Sequence, residues 1–148
     1  MGPVEELAGE LLKKGGRLRI KARGGSMVPS LWDGDLVQVV PTEGQKILVG
    51  DVICYETSPG RFFLHRVIGR DGERFVTKGD ALAFSEVISP WHVLGKVVAV
   101  ERHGRVRRLD SRPARWWNHM MVFVSPFLPG LLPLAIRVRR VWKAALCG

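Results

Sequence analysis

Short runs of alternating apolar and polar residues dominate positions 17–106: RLRIKA, DLVQVV, DVICYE, RFFLHRVIG, ERFVTKG and VLGKVVAVER, separated by Gly, Pro and Asp turns. A period of two marks a strand with distinct faces, so these runs predict a mainly β, compact antiparallel domain. Ahead of them, Val4, Leu7, Leu11 and Leu12 recur at helical spacing. With Pro3 near the start and Gly15-Gly16 as the stop, they predict a short amphipathic helix over residues 4–14. From about Ser111 the pattern changes again. An apolar run between Arg115 and Arg137 approaches the length of a membrane span, but Asn118, His119, Pro126, Pro129 and Pro133 interrupt it. The chain is therefore expected to divide into a body, residues 1–110, with its β core at 17–106, and a hydrophobic, basic tail, residues 111–148.

Charge sharpens that division. Of the 23 Lys and Arg residues, 10 lie in residues 101–148 against 2 acidic residues there, so nearly all of the net +9 belongs to the last third of the chain. The arginines flank long apolar stretches and do not interleave with aromatics along a groove, which favours an anionic membrane surface over nucleic acid. Trp116, Trp117 and Trp142 beside arginines resemble an interfacial belt, making residues 115–143 the candidate membrane-contacting segment. The other reading of the tail is an apolar element packed on the body. The acidic-then-basic N-terminus has no apolar h-region, so no signal peptide is expected. Cys54 and Cys147 provide neither a disulfide framework nor metal-ligand spacing, and no metal or other cofactor is expected. Cys54, inside the apolar run DVICYE, reads as a buried structural thiol.

Candidate chemistry begins at GGSMVP, residues 24–29, where a serine stands between flexible glycines and a proline. An ordinary connecting loop is one reading. The other is an exposed nucleophile, Ser26, whose own backbone N–H would serve as an oxyanion donor. A base is available in RFFLHRVIGRDGERFVTKGD, where Asp71-Gly72 suggests a hairpin turn. With Asp71 and Gly72 as the two central turn residues, His65 lies opposite Lys78 and Phe63 opposite Asp80. His65 and Asp80 then become diagonal neighbours on one face, suited to a carboxylate-oriented general base. Lys78 is the rival base on that face, but it needs strong desolvation to lose its proton near neutral pH.

These segments together resemble the type I signal peptidase superfamily. GGSMVPSLWDGDLVQVV is similar to its nucleophile box, VGDVICYE to the next box, FLHRVIG to the base-bearing box and TKGDA to the last, in order over about residues 17–100. The resemblance implies the β fold shared by signal peptidases and self-cleaving repressors. His65 in place of a lysine points to the archaeal and endoplasmic-reticulum branch. It further implies Ser26 as nucleophile, His65 as general base and Asp80 as acid, with Glu86 the only carboxylate where the branch commonly has a second acid. Gly24 occupies the position where some bacterial members carry an oxyanion hydroxyl.

The implied activity is a serine endopeptidase that cleaves signal or leader peptides of exported precursors, docking an extended peptide as an added strand. A dedicated maturation peptidase for few substrates is a variant of that expectation. Two other classes remain: a self-cleaving regulatory domain, for which Ala8-Gly9 is the available site, and a catalytically silent membrane-binding module. The family usually carries an N-terminal membrane anchor. The short, charged 4–14 segment cannot span a bilayer, so peripheral or C-terminal membrane association is expected, with a cytoplasmic location as the alternative.

Overall fold

A computed structural model describes residues 10–12, 14–131 and 133. Most of the 4–14 segment, the Ala8-Gly9 site, Trp142 and Cys147 lie outside the described residues.

The body is one open sheet of eight antiparallel strands. They are β1 (Leu18–Lys21), β2 (Leu36–Val40), β3 (Val52–Ser58), β4 (Arg61–Asp71), β5 (Arg74–Lys78), β6 (Ser85–Ile88), β7 (Val93–Arg102) and β8 (Arg105–Arg108). The order is β1-β2-β7-β3-β4-β5-β6, with β8 pairing β7. All six alternating runs form strands. Two short strands join them: β6, with three of its four residues exposed, and β8, exposed throughout. So little apolar content leaves no alternating signature in the sequence.

β3 shows how the sheet makes two cores. Val52 and Cys54 point to one face and pack with Met27, Leu31, Val37, Val39 and Val97. Ile53 and Tyr55 point to the other and pack with Ile47, Val67, Phe75 and Ile88. Alternation along one strand thus feeds two apolar layers, which is why Val52, Ile53, Cys54 and Tyr55 are all buried, with no polar face. Burial pushes the Cys54 thiol up to about 12, with Glu56 adding to the effect, so it is an unreactive core group.

The β4–β5 hairpin corrects the expected register. Asp71 pairs with Arg74, so the turn residues are Gly72 and Glu73, not Asp71 and Gly72. Gly72 takes φ +63°, where a two-residue turn with glycine at its first central position calls for it. A bulge between Val67 and Gly69 then shifts the ladder, and Arg66 pairs with Lys78. Because side chains alternate, this one-residue change moves Lys78 to the face opposite His65.

The tail begins with helix α1 (Arg112–Val124). Ser111 caps it by accepting from the Ala114 N–H at 3.4 Å, and Pro113 sits in the first turn, where its missing N–H costs nothing. Pro126 lies in a 3-10 turn, Ser125–Phe127, that follows without a reversal. The expected interruption by proline is therefore a tightening of the helix at this point. Among the described residues, no helix is long and apolar enough to cross a membrane.

Candidate active site

The connection from β1 to β2 carries Ser26, and its own polar groups fix its shape. The Gly24 N–H donates to Asp33 Oδ1 at 2.9 Å, the Trp32 N–H to Asp35 Oδ2 at 2.9 Å, and the Trp32 indole to the Pro29 carbonyl at 3.0 Å. Asp35 is in turn held by Arg102 from β7, through Nε at 2.8 Å and Nη2 at 2.6 Å. Met27 and Leu31 anchor the loop in the first core. Both aspartates of the LWDGD stretch are thus used in building the loop.

Ser26 is half-buried and rests against the turn after β5. Its carbonyl accepts from the Ala81 N–H at 2.9 Å. A Cβ on Gly79 would stand 2.6 Å from that carbonyl oxygen and 2.9 Å from Leu82, so only glycine permits this approach. Among the described residues, neither the Ser26 N–H nor its hydroxyl has a hydrogen-bond partner.

His65 lies on β4, near the end of its ladder with β5. It stands one residue before Arg66, whose partner Lys78 is the residue before Gly79. The imidazole is buried on the second-core face, 5.8 Å from the Tyr55 ring and 6.0 Å from Phe63. Its Nδ1 lies 2.8 Å from Tyr55 Oη, and Tyr55 Oη donates to Glu86 Oε2 at 3.2 Å. Burial holds His65 below its ordinary value, with Lys78 adding to the effect, while Glu86 and Asp80 oppose it. The imidazole is therefore neutral at neutral pH. Tyr55, the chain's single tyrosine, is pushed above its usual range by burial, and its proton stays on the phenol.

The hydrogen-bonded contact anticipated between His65 and Asp80 is not made. Asp80 is paired with Arg66 instead, through Nε to Oδ1 and Nη2 to Oδ2, both at 2.8 Å, with each side chain 1% exposed. Ser30 Oγ donates to Asp80 at 2.7 Å and accepts from Arg66 Nη2 at 3.0 Å. Arg66 Nη1 donates to the Gly50 carbonyl at 2.7 Å and to Asn118 Oδ1 of α1 at 3.1 Å. All five guanidinium donors are used, so this buried charge is fully satisfied. The physical reason for the difference is the register, which puts Arg66, not His65, on the Asp80 face.

Lys78 is also spoken for. Its ammonium donates to the carbonyls of Gly79 at 3.2 Å, Asp80 at 3.4 Å and Ser125 at 3.1 Å. Ser125 is the C-cap of α1, where a cation meets the negative end of the helix. Burial lowers the Lys78 value, opposed by Asp80. Three carbonyl acceptors and no described contact to Ser26 make it a brace between α1 and the β5 turn.

Arg66 and Tyr55 are the residues that sequence reading passes over. Arg66 stands inside the apolar run FLHRVIG, where a charge at a core position is itself a signal for a buried partner. Two surface concavities lie away from Ser26, one lined by Arg17, Gln38 and Asp110, the other by Arg107, Pro113 and Trp117. Compared with family models, curated proteins and solved structures, the chain matches none.

Proposed function

We propose that the chain is a serine endopeptidase of the signal-peptidase type, with Ser26 as nucleophile and His65 as general base. The observation that carries this reading is a serine whose hydroxyl has no hydrogen-bond partner among the described residues, packed on Gly79, together with a buried, neutral imidazole on β4 one residue before the Arg66–Lys78 pair. Ser26 Oγ attacks the scissile carbonyl while its proton passes to His65 Nε2, and the Ser26 N–H stabilises the oxyanion. Collapse of the tetrahedral species transfers that proton to the departing amine, leaving an acyl ester. Water then cleaves the ester by the same proton route in reverse order. Asp80 supports this chemistry at one remove, tying Ser30 of the serine loop to Arg66. The open sheet, with β1 and β6 at the ends of its strand order, suits an extended peptide added as a strand, and the resemblance of the boxes favours signal or leader peptides as substrates.

A serine-directed phosphonate reagent tests the assignment directly. One adduct on Ser26 is expected by mass spectrometry, forming far more slowly in His65→Ala. Equal labelling of scattered serines, or none on Ser26, would overturn the reading.

We infer as well that α1 seats the enzyme on an anionic membrane surface. In α1 and the turns that follow it, polar Asn118 and Ser125 face the body with Met121, whereas Trp116, Met120, Phe123, Phe127 and Leu131 form an exposed stripe at spacings of four, three, four and four. Trp116, Phe123 and Phe127 are each at least 67% exposed, an inversion of the usual surface helix. Arg112 and Arg115 supply positive charge and the helix has no acidic residue, as contact with anionic lipid requires. The full chain is expected to float with phosphatidylglycerol-containing vesicles, and the Phe123→Asp/Phe127→Asp variant to remain at the bottom of the gradient. Equal behaviour of the two proteins would remove the membrane assignment.

A further inference from the structure

The geometry points to Tyr55 and Glu86 as the positioning pair for His65, a hydrogen-bonded line in which a phenol stands between the imidazole and its carboxylate. This rests on the peptidase reading above and names the carboxylate that supports its base.

The donor count decides the direction of each bond. An ionised Glu86 can only accept, so the hydrogen bond at 3.2 Å uses the single proton of the Tyr55 hydroxyl. The contact of 2.8 Å between Tyr55 Oη and His65 Nδ1 then needs its proton from the imidazole. His65 must therefore carry hydrogen on Nδ1, which leaves the Nε2 lone pair free for the Ser26 proton. When His65 becomes an imidazolium, Nδ1–H keeps donating to Tyr55, and the Glu86 charge stabilises the cation through the polarised phenol. No proton has to travel along the line. It fixes a tautomer and supplies an electrostatic field.

Packing favours the same assignment. Tyr55 is fully buried between β4 and β7 and stacks on Phe63 at 5.7 Å, so its hydroxyl has little freedom to turn elsewhere. Glu86 comes from β6, paired with Thr77 of β5, which brings a carboxylate to the second-core face that carries His65. The charged groups acting on His65 are Glu86 from β6, Asp80 from the turn after β5 and Lys78 from β5. Asp80 is neutralised at contact distance by Arg66 and Lys78 is a cation, so Glu86 is the remaining negative charge joined to the ring by hydrogen bonds.

Two variants and one spectrum test the pair. Tyr55→Phe is expected to lower kcat by about tenfold to a hundredfold with KM within about twofold, because a base in mixed tautomers is productive only part of the time. Glu86→Gln keeps an acceptor for the phenol but removes the charge that favours the imidazolium. Its acid limb in kcat/KM should therefore move to lower pH, with a smaller loss of rate at neutral pH. The nitrogen-15 spectrum of the wild-type imidazole, assigned by its loss in His65→Gln, should show protonated Nδ1 and bare Nε2. In Tyr55→Phe the proton should redistribute towards Nε2. If Tyr55→Phe does not fold, Glu86→Gln, altered at an exposed position, carries the test alone. A wild-type spectrum with the proton on Nε2, or variants with unchanged tautomer and pH profile, would overturn the pair. Failure of the peptidase reading looks different: wild type neither cleaves peptides nor is labelled at Ser26, while the tautomer still reports on the hydrogen bonds.

Discussion

Ser26→Ala should lower kcat on a cleavable precursor peptide by about four to six orders of magnitude, the usual cost of removing a nucleophile. His65→Ala should fall in the same range, and combining the two should add little, because nucleophile and base act as one unit. Lys78→Met separates this assignment from a serine–lysine pair. Lys78 donates to three carbonyls and braces α1, so its loss should lower Tm. Activity per folded molecule should nevertheless stay within about tenfold of wild type, since no proton transfer passes through it. If activity survives His65→Ala and dies in well-folded Lys78→Met, the base has been misassigned. The pH profile gives a second check. His65 must be neutral to act, and burial holds it below the ordinary 6.5, so kcat/KM should rise through a limb below that value and be flat at pH 7. A base of the Lys78 kind would instead give activity still rising on the alkaline side of neutrality.

The strand pattern of the body was readable because burial on a sheet face imposes a period of two, and all six long runs obey it. The serine loop was readable for a different reason: GGSMVPSLWDGD concentrates residues that can only be explained by local hydrogen bonding, and Asp33 and Asp35 both bond within it. The identity of the histidine's partner was not readable. It depended on a two-residue turn starting at Gly72 and on a bulge beside Ile68, and neither leaves a signature distinct from the Asp-Gly pair next to it. A single-residue slip exchanges the faces of an entire strand, so a small local error moved Lys78 and Asp80 onto the wrong side of β4. Glu86 was reached only through the family resemblance, as the carboxylate in the second-acid region, and Tyr55 was hidden, because its link between His65 and Glu86 is made across strands and a core. The tail was half legible. Its arginines and tryptophans announced an amphipathic surface, but the use of Asn118 and Ser125 as the inward face reverses the usual polarity of a helix.

Asp80→Ala should be the most destabilising single change in the body. It removes both oxygens that face Arg66 Nε and Nη2 and the acceptor of Ser30, leaving a guanidinium that is 1% exposed with its charge uncompensated. Breaking a buried pair by deleting one partner costs about 3–5 kcal/mol, which for a chain of this size lowers Tm by roughly 10–15 °C. Replacing both partners together, Arg66→Met with Asp80→Leu, should recover much of that loss, because two well-packed apolar groups owe no desolvation. Activity should not return with stability. Ser30 in the serine loop, Gly50 and Asn118 of α1 all accept hydrogen bonds from Arg66, and Ser30 donates to Asp80, and an apolar pair cannot hold them in register. Thermal unfolding and peptide cleavage measured on the same three proteins separate these effects. A double variant that regains both Tm and full kcat would show that the network is only packing. One that regains Tm alone shows that Asp80 acts on the chemistry by holding the loop that presents Ser26.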